Sequence, residues 1–357
     1  MAVRVRADLA TIPTYKPGRS PAQGAATWFK LSSNESPYPP LPSVSEAITL
    51  QASMVHRYPD AAVEELTRAT AARLQVPSDR IVFGAGSVES ISQVIRTVAG
   101  AGDEVIYAWR SFEAYPILTR GAGATPVEVP LTADHRHDLP AMLAAITPAT
   151  RLIIVCTPNN PTGTAVNPQE LAEFVAQVPP EIAILIDEAY YQFSDHPDAA
   201  VGLAIGREHE NVIVAHTFSK AYGLAGLRIG YALAPQNVAE AMRKVALPFG
   251  VTNLAQAAAR ASYDADAELT QRVRYIVAER ERVASALAAD GWRLPRSEAN
   301  FLWLPLGEAT DLGARTFEEH GLIVRAFPGE GIRVTIAEDE ANDRIIEAAS
   351  RLKGQGG

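Results

Sequence analysis

The sequence predicts an α/β protein in two parts, a large domain with a mostly parallel central sheet and a smaller α+β domain. Short apolar runs alternate with helix-like stretches from about residue 80 to residue 233, and strand–helix alternation is typical of a largely parallel sheet. The chain also has 357 residues, which is more than one typical hydrophobic core supports.

Seven predicted strands make up the large sheet. Each is a nearly continuous apolar run, as expected for strands that helices cover on both faces. The strands are residues 80–83, 104–108, 125–129, 152–157, 182–186, 212–215 and 227–233. Helices are predicted between them, for example at 88–98 and 168–178.

The pattern changes at both ends of the chain. Residues 1–42 are rich in Pro, Ser and Gly and predict an extended arm. After about residue 250 the predicted elements are a long helical region at 255–289, strands at 300–305 and 331–336, and helices at 311–319 and 338–352. We therefore predict an arm with part of the small domain at 1–45, a large domain at 46–250 and a small domain at 251–357.

Composition and charge narrow the class of protein. The net charge is −9, which argues against nucleic acid as the main partner because nucleic-acid binders carry a basic face. No run approaches the roughly 18 apolar residues of a membrane helix, and the first residues lack the apolar stretch of a secretory signal. Cys156 is the only cysteine, which suits a reducing cytosol. We therefore expect a cytoplasmic protein with no nucleic-acid, membrane or metal partner.

Two of the predicted strands end in polar segments. The loop CTPNNPTG at 156–163 contains Asn160, and taken alone it is typical of an ordinary turn between a strand and a helix. The segment ILIDEAY at 184–190 places Asp187 directly after an apolar strand. Ligands of open α/β sheets bind beyond the carboxyl ends of strands, although Asp187 fits the N-cap of a helix equally well.

A third segment, TFSKAYGLAGLRIGY at 217–231, sets Lys220 among small, uncharged residues. A lone lysine in a loop is usually a solvated surface charge. Here burial and the nearby cation of Arg228 would lower the pKa of the lysine and favour a nucleophilic amine.

A fourth segment, GAGSVES at 84–90, lies between a predicted strand and a predicted helix. The backbone N–H groups of the helix start and the Ser87 hydroxyl predict a phosphate site. Glu89 stands where a dinucleotide-binding motif has its third glycine, and no Gly-Lys-Ser/Thr follows, so both common nucleotide motifs are excluded.

Together these segments fit one cofactor. Pyridoxal 5′-phosphate requires a lysine that forms a Schiff base, an acid that keeps the ring nitrogen protonated, and a phosphate site. Lys220, Asp187 and the segment around Ser87 supply the three, so the sequence predicts a pyridoxal-phosphate enzyme.

The motifs PNNPTG, DEAY and SKAYGLAGLRIGY, at 158–163, 187–190 and 219–231, resemble in this order those of the fold-type I aminotransferases, in particular the histidinol-phosphate aminotransferase family. The resemblance covers nearly the whole chain. It implies an aspartate-aminotransferase-like fold and an amino-group transfer through a Lys220 Schiff base and a pyridoxamine intermediate.

The resemblance also implies roles for single residues around the cofactor. Lys220 would form the internal aldimine and move the proton between the substrate Cα and the cofactor C4′. Asp187 would pair with the pyridinium nitrogen, and Asn160 and Tyr190 would bind the ring 3-oxygen. The remaining implied cofactor ligands are Phe112 stacked on the ring and, at the phosphate, Ser87, the Val88 backbone N–H, Ser219 and Arg228.

Three more roles concern the partner subunit and the substrate. Tyr58 resembles the family tyrosine that reaches the phosphate of the neighbouring subunit, which implies a homodimer with shared active sites. Arg333 resembles the arginine that clamps the substrate carboxylate, a bidentate task that suits a guanidinium group. Asn34 would support the same carboxylate.

Two departures from the family pattern bear on the substrate. Val88 follows the phosphate-loop serine where an acidic residue is usual, and Phe112 replaces the common stacking tyrosine. With KVALPF at 244–249, these features resemble the aromatic (phenylalanine) aminotransferase branch. We therefore favour transfer between phenylalanine or tyrosine and 2-oxoglutarate. The alternative is a histidinol-phosphate aminotransferase of histidine biosynthesis.

Two further residues are candidates for substrate binding. Arg325 is either a second cation for the substrate or a surface residue, and Tyr15 either closes over the substrate or anchors the arm. A decarboxylase or lyase on the same fold is the alternative from another reaction class. Arg333 argues against it, because transamination keeps the substrate carboxylate.

Overall fold

The computed structural model describes residues 3–5, 9–10, 12–18, 28–194 and 201–355. Its strands are β1 Phe29–Lys30, β2 Ile81–Gly84, β3 Glu104–Trp109, β4 Thr125–Pro130, β5 Thr150–Cys156, β6 Ala183–Asp187, β7 Val212–Thr217, β8 Gly230–Leu233, β9 Phe301–Pro305, β10 Leu322–Ile323, β11 Arg325–Phe327 and β12 Gly331–Thr335.

The helices alternate with the strands through most of the described chain. They are α1 Pro42–Ala52, α2 Glu64–Leu74, α3 Ser87–Val98, α4 Ala114–Gly121, α5 Leu139–Ala144, α6 Pro168–Gln177, α7 Val201–Glu208, α8 Gln236–Val245, α9 Asn253–Asp264, α10 Asp266–Ala289, α11 Thr310–Glu319 and α12 Asp339–Gln355. Among the helices within these described ranges, none is both long enough and apolar enough to cross a membrane.

The large sheet has seven strands in the order β2-β8-β7-β6-β5-β3-β4. Strands β3 to β7 pair in parallel, and β8 runs antiparallel to both β7 and β2. The predicted, mostly parallel sheet is therefore confirmed. All seven predicted strands are present, with bounds that differ by a few residues at most.

Apolar side chains cover this sheet on both faces. Along β5, Ile153 and Val155 belong to one core cluster, while Leu152, Ile154 and Cys156 belong to the cluster on the other side. Successive side chains of a strand point to opposite faces. A strand buried on both faces must therefore be apolar at every position, which explains the continuous apolar runs.

The second part of the fold is built on the antiparallel sheet β11-β12-β9. Helices α10, α11 and α12 contribute to its core, which includes Phe301, Phe317 and Ile345. The predicted arm takes part in this core as well. Strand β1 pairs in parallel with β10, and the next residue, Leu31, is buried in the same cluster.

The structure differs from the sequence prediction at several elements. The predicted helix at 255–289 is two helices, α9 and α10, separated at Ala265. Helix α9 packs against α1, and its Ala258 lies in the core of the large sheet. The domain boundary at 250 stays a prediction, and these contacts favour one nearer the start of α10.

The sequence also fails to predict α1 and α2, because each buries few apolar side chains and its helical period is weak.

The predicted strand at 227–233 is shorter in the structure. The strand begins only at Gly230, because residues Ala225–Leu227 form a 3-10 turn and Arg228 adopts a left-handed conformation with φ of 55°. This turn returns Arg228 towards the carboxyl ends of the parallel strands, where the candidate site lies.

Candidate functional site

The carboxyl ends of three neighbouring parallel strands meet at one cavity. In the sheet register Cys156 at the end of β5 pairs with Asp187 of β6, which pairs with Ala215 of β7. The cavity beside them has a volume of about 320 Å³. Its lining includes thirteen of the fourteen predicted site residues, namely Tyr15, Asn34, Ser87, Val88, Phe112, Asn160, Asp187, Tyr190, Ser219, Lys220, Arg228, Arg325 and Arg333. The exception is Tyr58.

Lys220 follows strand β7 and lines the cavity. Its Nζ donates a hydrogen bond to the carbonyl oxygen of Ser33 at 2.9 Å. Burial, and after it the cation of Arg333, lowers the pKa of the Lys220 amine to about 7. Because the neutral amine is the nucleophilic form, the site holds a lysine that is reactive near neutral pH.

Asp187 is the last residue of β6 and is almost fully buried. Tyr115 donates its hydroxyl hydrogen to Asp187 Oδ2 at 2.6 Å, whereas Oδ1 has no hydrogen-bond partner among the described residues. Burial raises the pKa of this carboxyl group to about 6. A buried acid with one oxygen unpartnered at a cavity wall fits a cationic N–H donor.

The loop that carries Asn160 is fixed from within. Gly163, with φ of 75°, donates its N–H to the Asn159 carbonyl at 2.7 Å, and Asn159 Nδ2 donates to Thr162 Oγ1 at 2.9 Å. The predicted turn after β5 is therefore present. It places the Asn160 side chain in the cavity, where its Oδ1 accepts a hydrogen bond from Arg333 Nη1.

An anion cradle lies at the start of helix α3. The helix begins at Ser87 after Gly86, and no side chain of the residues that the structure describes caps it. A Cβ atom on Gly86 would lie 2.4 Å from Arg228 Nη2, and one on Gly230 would lie 2.5 Å from the Ser87 nitrogen. Only glycine allows this close approach of a guanidinium group and helix N–H groups, an arrangement that suits a phosphate.

Arg333 of β12 lies on another part of the cavity wall and is buried. Its Nη2 donates to the Ser32 carbonyl at 2.6 Å, and its Nε has no partner among the described residues. Asn34, held in the left-handed region with φ of 54°, donates from Nδ2 to the Tyr190 hydroxyl at 3.0 Å. Both Nη atoms of Arg333 thus donate to neutral oxygens, which do not neutralise its positive charge, so this residue suits a substrate anion.

Arg325 and Tyr15 also lie at the cavity. Arg325 Nη2 forms an ion pair with Glu113 Oε2 at 2.6 Å, which the sequence alone does not predict. Tyr15 is about half exposed. Their predicted roles in substrate binding stay predictions, but the Glu113 carboxylate already neutralises Arg325.

Tyr58 lies outside the cavity and is 81% exposed. Its ring stacks on that of Phe249, with 4.6 Å between the ring centroids. Most of the Tyr58 side chain is therefore open to contact, and its predicted contact with a neighbouring subunit stays a prediction.

Several described residues at the site were not predicted as functional, and three of them contact or extend its predicted residues through their side chains. Tyr115 contacts Asp187, Glu113 contacts Arg325, and Phe327 adds an aromatic ring to the cavity wall. Tyr115 stands one helical turn after Phe112, which is the only sequence signal for its position. The positions of Glu113 and Phe327 depend on how β11 packs against the large sheet, which the spacing of residues in the sequence does not reveal.

These features fit pyridoxal phosphate. Within the described ranges Asp187 Oδ1 is a buried acceptor without a partner, which suits a ring N–H; Lys220 is an amine with a lowered pKa, and the cradle between Gly86 and Arg228 suits a phosphate. The side chains of Asn160 and Tyr190 would lie at the ring oxygen, and Phe112 offers a ring for stacking.

Comparison with known proteins gives the same family at the level of sequence. The chain matches the family model described as aminotransferase class I and II over residues 26–348. The aromatic amino acid aminotransferase of Streptomyces avermitilis is 51% identical over 350 residues, which cover 98% of each chain. The aromatic amino acid aminotransferase of Cutibacterium acnes is 51% identical over 344 residues, covering 96% of this chain and 97% of that one.

Comparison with solved structures confirms the predicted aspartate-aminotransferase-like fold. The histidinol-phosphate aminotransferase from Sinorhizobium meliloti in complex with pyridoxal-5′-phosphate has a TM-score of 0.89 and 28% identity, covering 100% of this chain and 99% of that one. The aspartate aminotransferase from Thermus thermophilus with maleate has a TM-score of 0.79 and 23% identity, with 90% of each chain covered. The second likeness concerns the fold alone.

We predict that Lys220 of the cofactor-free protein titrates near neutral pH. Acetic anhydride should modify Lys220 at a rate that is half-maximal at about pH 7, because burial and Arg333 disfavour the charged amine. The measurement is mass spectrometry of the modified peptide after short exposures across the pH range, with a lysine-containing peptide of ordinary pKa, about 10.4, as the reference. Parallel pH profiles for Lys220 and the reference amine would contradict the prediction.

Proposed function

The chain belongs to the class I and II aminotransferases, and from that premise we propose that it transfers the amino group of phenylalanine or tyrosine to 2-oxoglutarate. One observation carries the aromatic preference. The cavity wall carries Arg333 together with the rings of Phe327 and Tyr15, while Glu113 neutralises the second arginine, Arg325. Such a pocket suits a substrate with one carboxylate and an apolar ring. The relatives named aromatic amino acid aminotransferase support the same preference.

The proposed roles follow from the geometry of this chain. Arg333 binds the substrate carboxylate, for which its planar fork is suited. Asn34 holds Tyr190, and both lie beside this arginine on the cavity wall. Binding the carboxylate at one fixed point orients the substrate Cα and the groups attached to it.

Lys220 is the residue proposed to move the proton. With a pKa of about 7, its Nζ can both accept and donate a proton near neutral pH. Pyridoxal phosphate, when bound, supplies the electron-accepting ring. Asp187 holds the proton at the ring nitrogen, and Ser87, Ser219, the Val88 N–H and Arg228 hold the phosphate.

Histidinol phosphate is the competing substrate. Its phosphate dianion stands opposite the imidazole ring, on the carbon that replaces the α-carboxylate, so Arg333 would have to bind a dianion. A dianion suits two cations, and the other arginine at the substrate end of the cavity, Arg325, is already paired with Glu113. The ion pair therefore favours the single charge of an α-carboxylate.

We predict that kcat/KM for phenylalanine exceeds that for histidinol phosphate by at least about tenfold, because the second charge of the phosphate would lack a cationic partner and a tenfold ratio corresponds to about 1.4 kcal/mol. The measurement is steady-state transamination with 2-oxoglutarate as the common acceptor. Lys220→Ala should abolish both activities, and Lys244→Ala at an exposed lysine should preserve them. A higher kcat/KM for histidinol phosphate would reverse the substrate assignment.

We also propose a homodimer whose subunits share active sites. Large apolar side chains are exposed near the end of α1 and after α8, namely Leu50, Met54, Val55, Tyr58, Leu247 and Phe249. The stack of Tyr58 on Phe249 joins the two stretches. Exposed apolar patches of this kind mark protein interfaces.

We predict that Tyr58→Phe weakens pyridoxal-phosphate binding about tenfold while the protein remains dimeric, because a hydrogen bond to a charged phosphate contributes about 1.5 kcal/mol or more. Equilibrium dialysis gives the affinity, and analytical ultracentrifugation gives the mass. Tyr275→Phe, at another exposed tyrosine, should leave both unchanged. A monomeric wild-type protein with full cofactor affinity would disprove the shared site.

A further inference from the structure

Tyr115 is a fully buried tyrosine whose hydroxyl group reaches the acid of the cavity. Its O–H donates to Asp187 Oδ2 at 2.6 Å, and Oδ1 has no hydrogen-bond partner in the described part of the chain. We infer that Tyr115 is a positioning residue, whose hydroxyl group keeps Asp187 ionised and turns its free oxygen towards the cofactor ring. The inference rests on the proposed role of Asp187 at the ring nitrogen.

Helix α4 holds Tyr115 at this point. The Tyr115 N–H donates to the Phe112 carbonyl at 3.0 Å, and the two rings meet edge to face with 5.6 Å between their centroids. The Tyr107 ring lies 5.7 Å from that of Tyr115. One side chain therefore contacts both the proposed stacking ring and the proposed acid.

The titratable groups near Asp187 come from three elements and from the segment that follows it. Tyr115 is on α4, Cys156 on β5 and His216 on β7, while Glu188 and Tyr190 follow Asp187 in the chain. His216 is held by Glu188, with 2.8 Å between Nε2 and Oε2. Burial raises the pKa of the Cys156 thiol to about 12, so the thiol is neutral.

Burial works against the ionised form of Asp187, and the Tyr115 hydrogen bond is the largest effect that opposes it. The Ala189 N–H makes a smaller contribution in the same direction. Burial also raises the pKa of the Tyr115 phenol well above 10, so this hydroxyl group keeps its proton and acts as a donor. Without that donor, Asp187 would bind a proton more readily and would lose its charge near neutral pH.

Tyr115→Phe isolates this hydroxyl group, because the substituted ring can keep its contacts with Phe112 and Tyr107. Tyr107→Phe is the matched control. Tyr107 is equally buried and its ring packs against that of Tyr115, but its hydroxyl group donates to Glu128 of β4 instead of Asp187.

The first readout is the titration of Asp187 in the full-length, cofactor-free protein. The infrared band of its protonated carboxyl group is identified by its loss in Asp187→Asn. The midpoint should rise by about one pH unit in Tyr115→Phe and stay unchanged in Tyr107→Phe, since one pH unit corresponds to the loss of about one net hydrogen bond. Equal midpoints in all three proteins would overturn the inference.

The second readout is the dissociation constant of pyridoxal phosphate. With the Asp187 midpoint one unit higher, binding to Tyr115→Phe should weaken about fivefold near pH 6 and change little near pH 8.5. Uniform weakening at both pH values would indicate a merely structural role and would reject the inference.

Two further variants keep the outcomes separable. Asp187→Asn should weaken cofactor binding at both pH values, and if it does not, the proposed role of Asp187 fails independently of Tyr115. Should Tyr115→Phe not fold, replacement of Tyr115 by 3-fluorotyrosine, a stronger donor of the same shape, should lower the Asp187 midpoint. An unchanged midpoint in that protein would overturn the inference as well.

Discussion

The site depends on one constraint, the burial of an acid and an amine at the ends of adjacent strands. Parallel pairing of β6 with β7 brings Asp187 and the segment of Lys220 to the same edge of the sheet. Burial raises the pKa of the acid to about 6 and lowers that of the amine to about 7. Each group is therefore present in both its charged and its neutral form near neutral pH. The cationic ring of pyridoxal phosphate would pair with the Asp187 carboxylate, and its aldehyde would react with the neutral Lys220 amine. This explains why these residues suit pyridoxal phosphate.

The same cavity has two separate places that suit anions. At the start of α3, Gly86 lets the Arg228 guanidinium group approach the first backbone N–H groups of the helix closely, which forms a cradle that suits a phosphate. On β12, Arg333 is held by Ser32 and Asn160. The third arginine is already neutralised by Glu113. The cavity thus offers places for a phosphate and a carboxylate, and its wall also carries the rings of Tyr15, Phe112, Tyr190 and Phe327.

The sequence predicts most of this arrangement because the important residues follow strands. Asp187 and Lys220 could be placed from the apolar runs before them, since parallel strands bring their carboxyl ends together. The contact of Tyr115 with Asp187 joins residues 72 positions apart, and no periodicity reports it. The pairing of β1 with β10 is equally hidden, because a two-residue strand in a polar segment has no pattern. Helices α1 and α2 escaped prediction because their buried faces are narrow.

The central claim is that Lys220 carries the cofactor covalently. It is tested most directly by loading the protein with pyridoxal phosphate, fixing the linkage by borohydride reduction and mapping the modified residue by peptide mass spectrometry. The account predicts that the phosphopyridoxyl group is found on Lys220, and that prior loss of the Asp187 carboxylate in Asp187→Asn reduces the yield. A label on another lysine, or none after full loading, would contradict it.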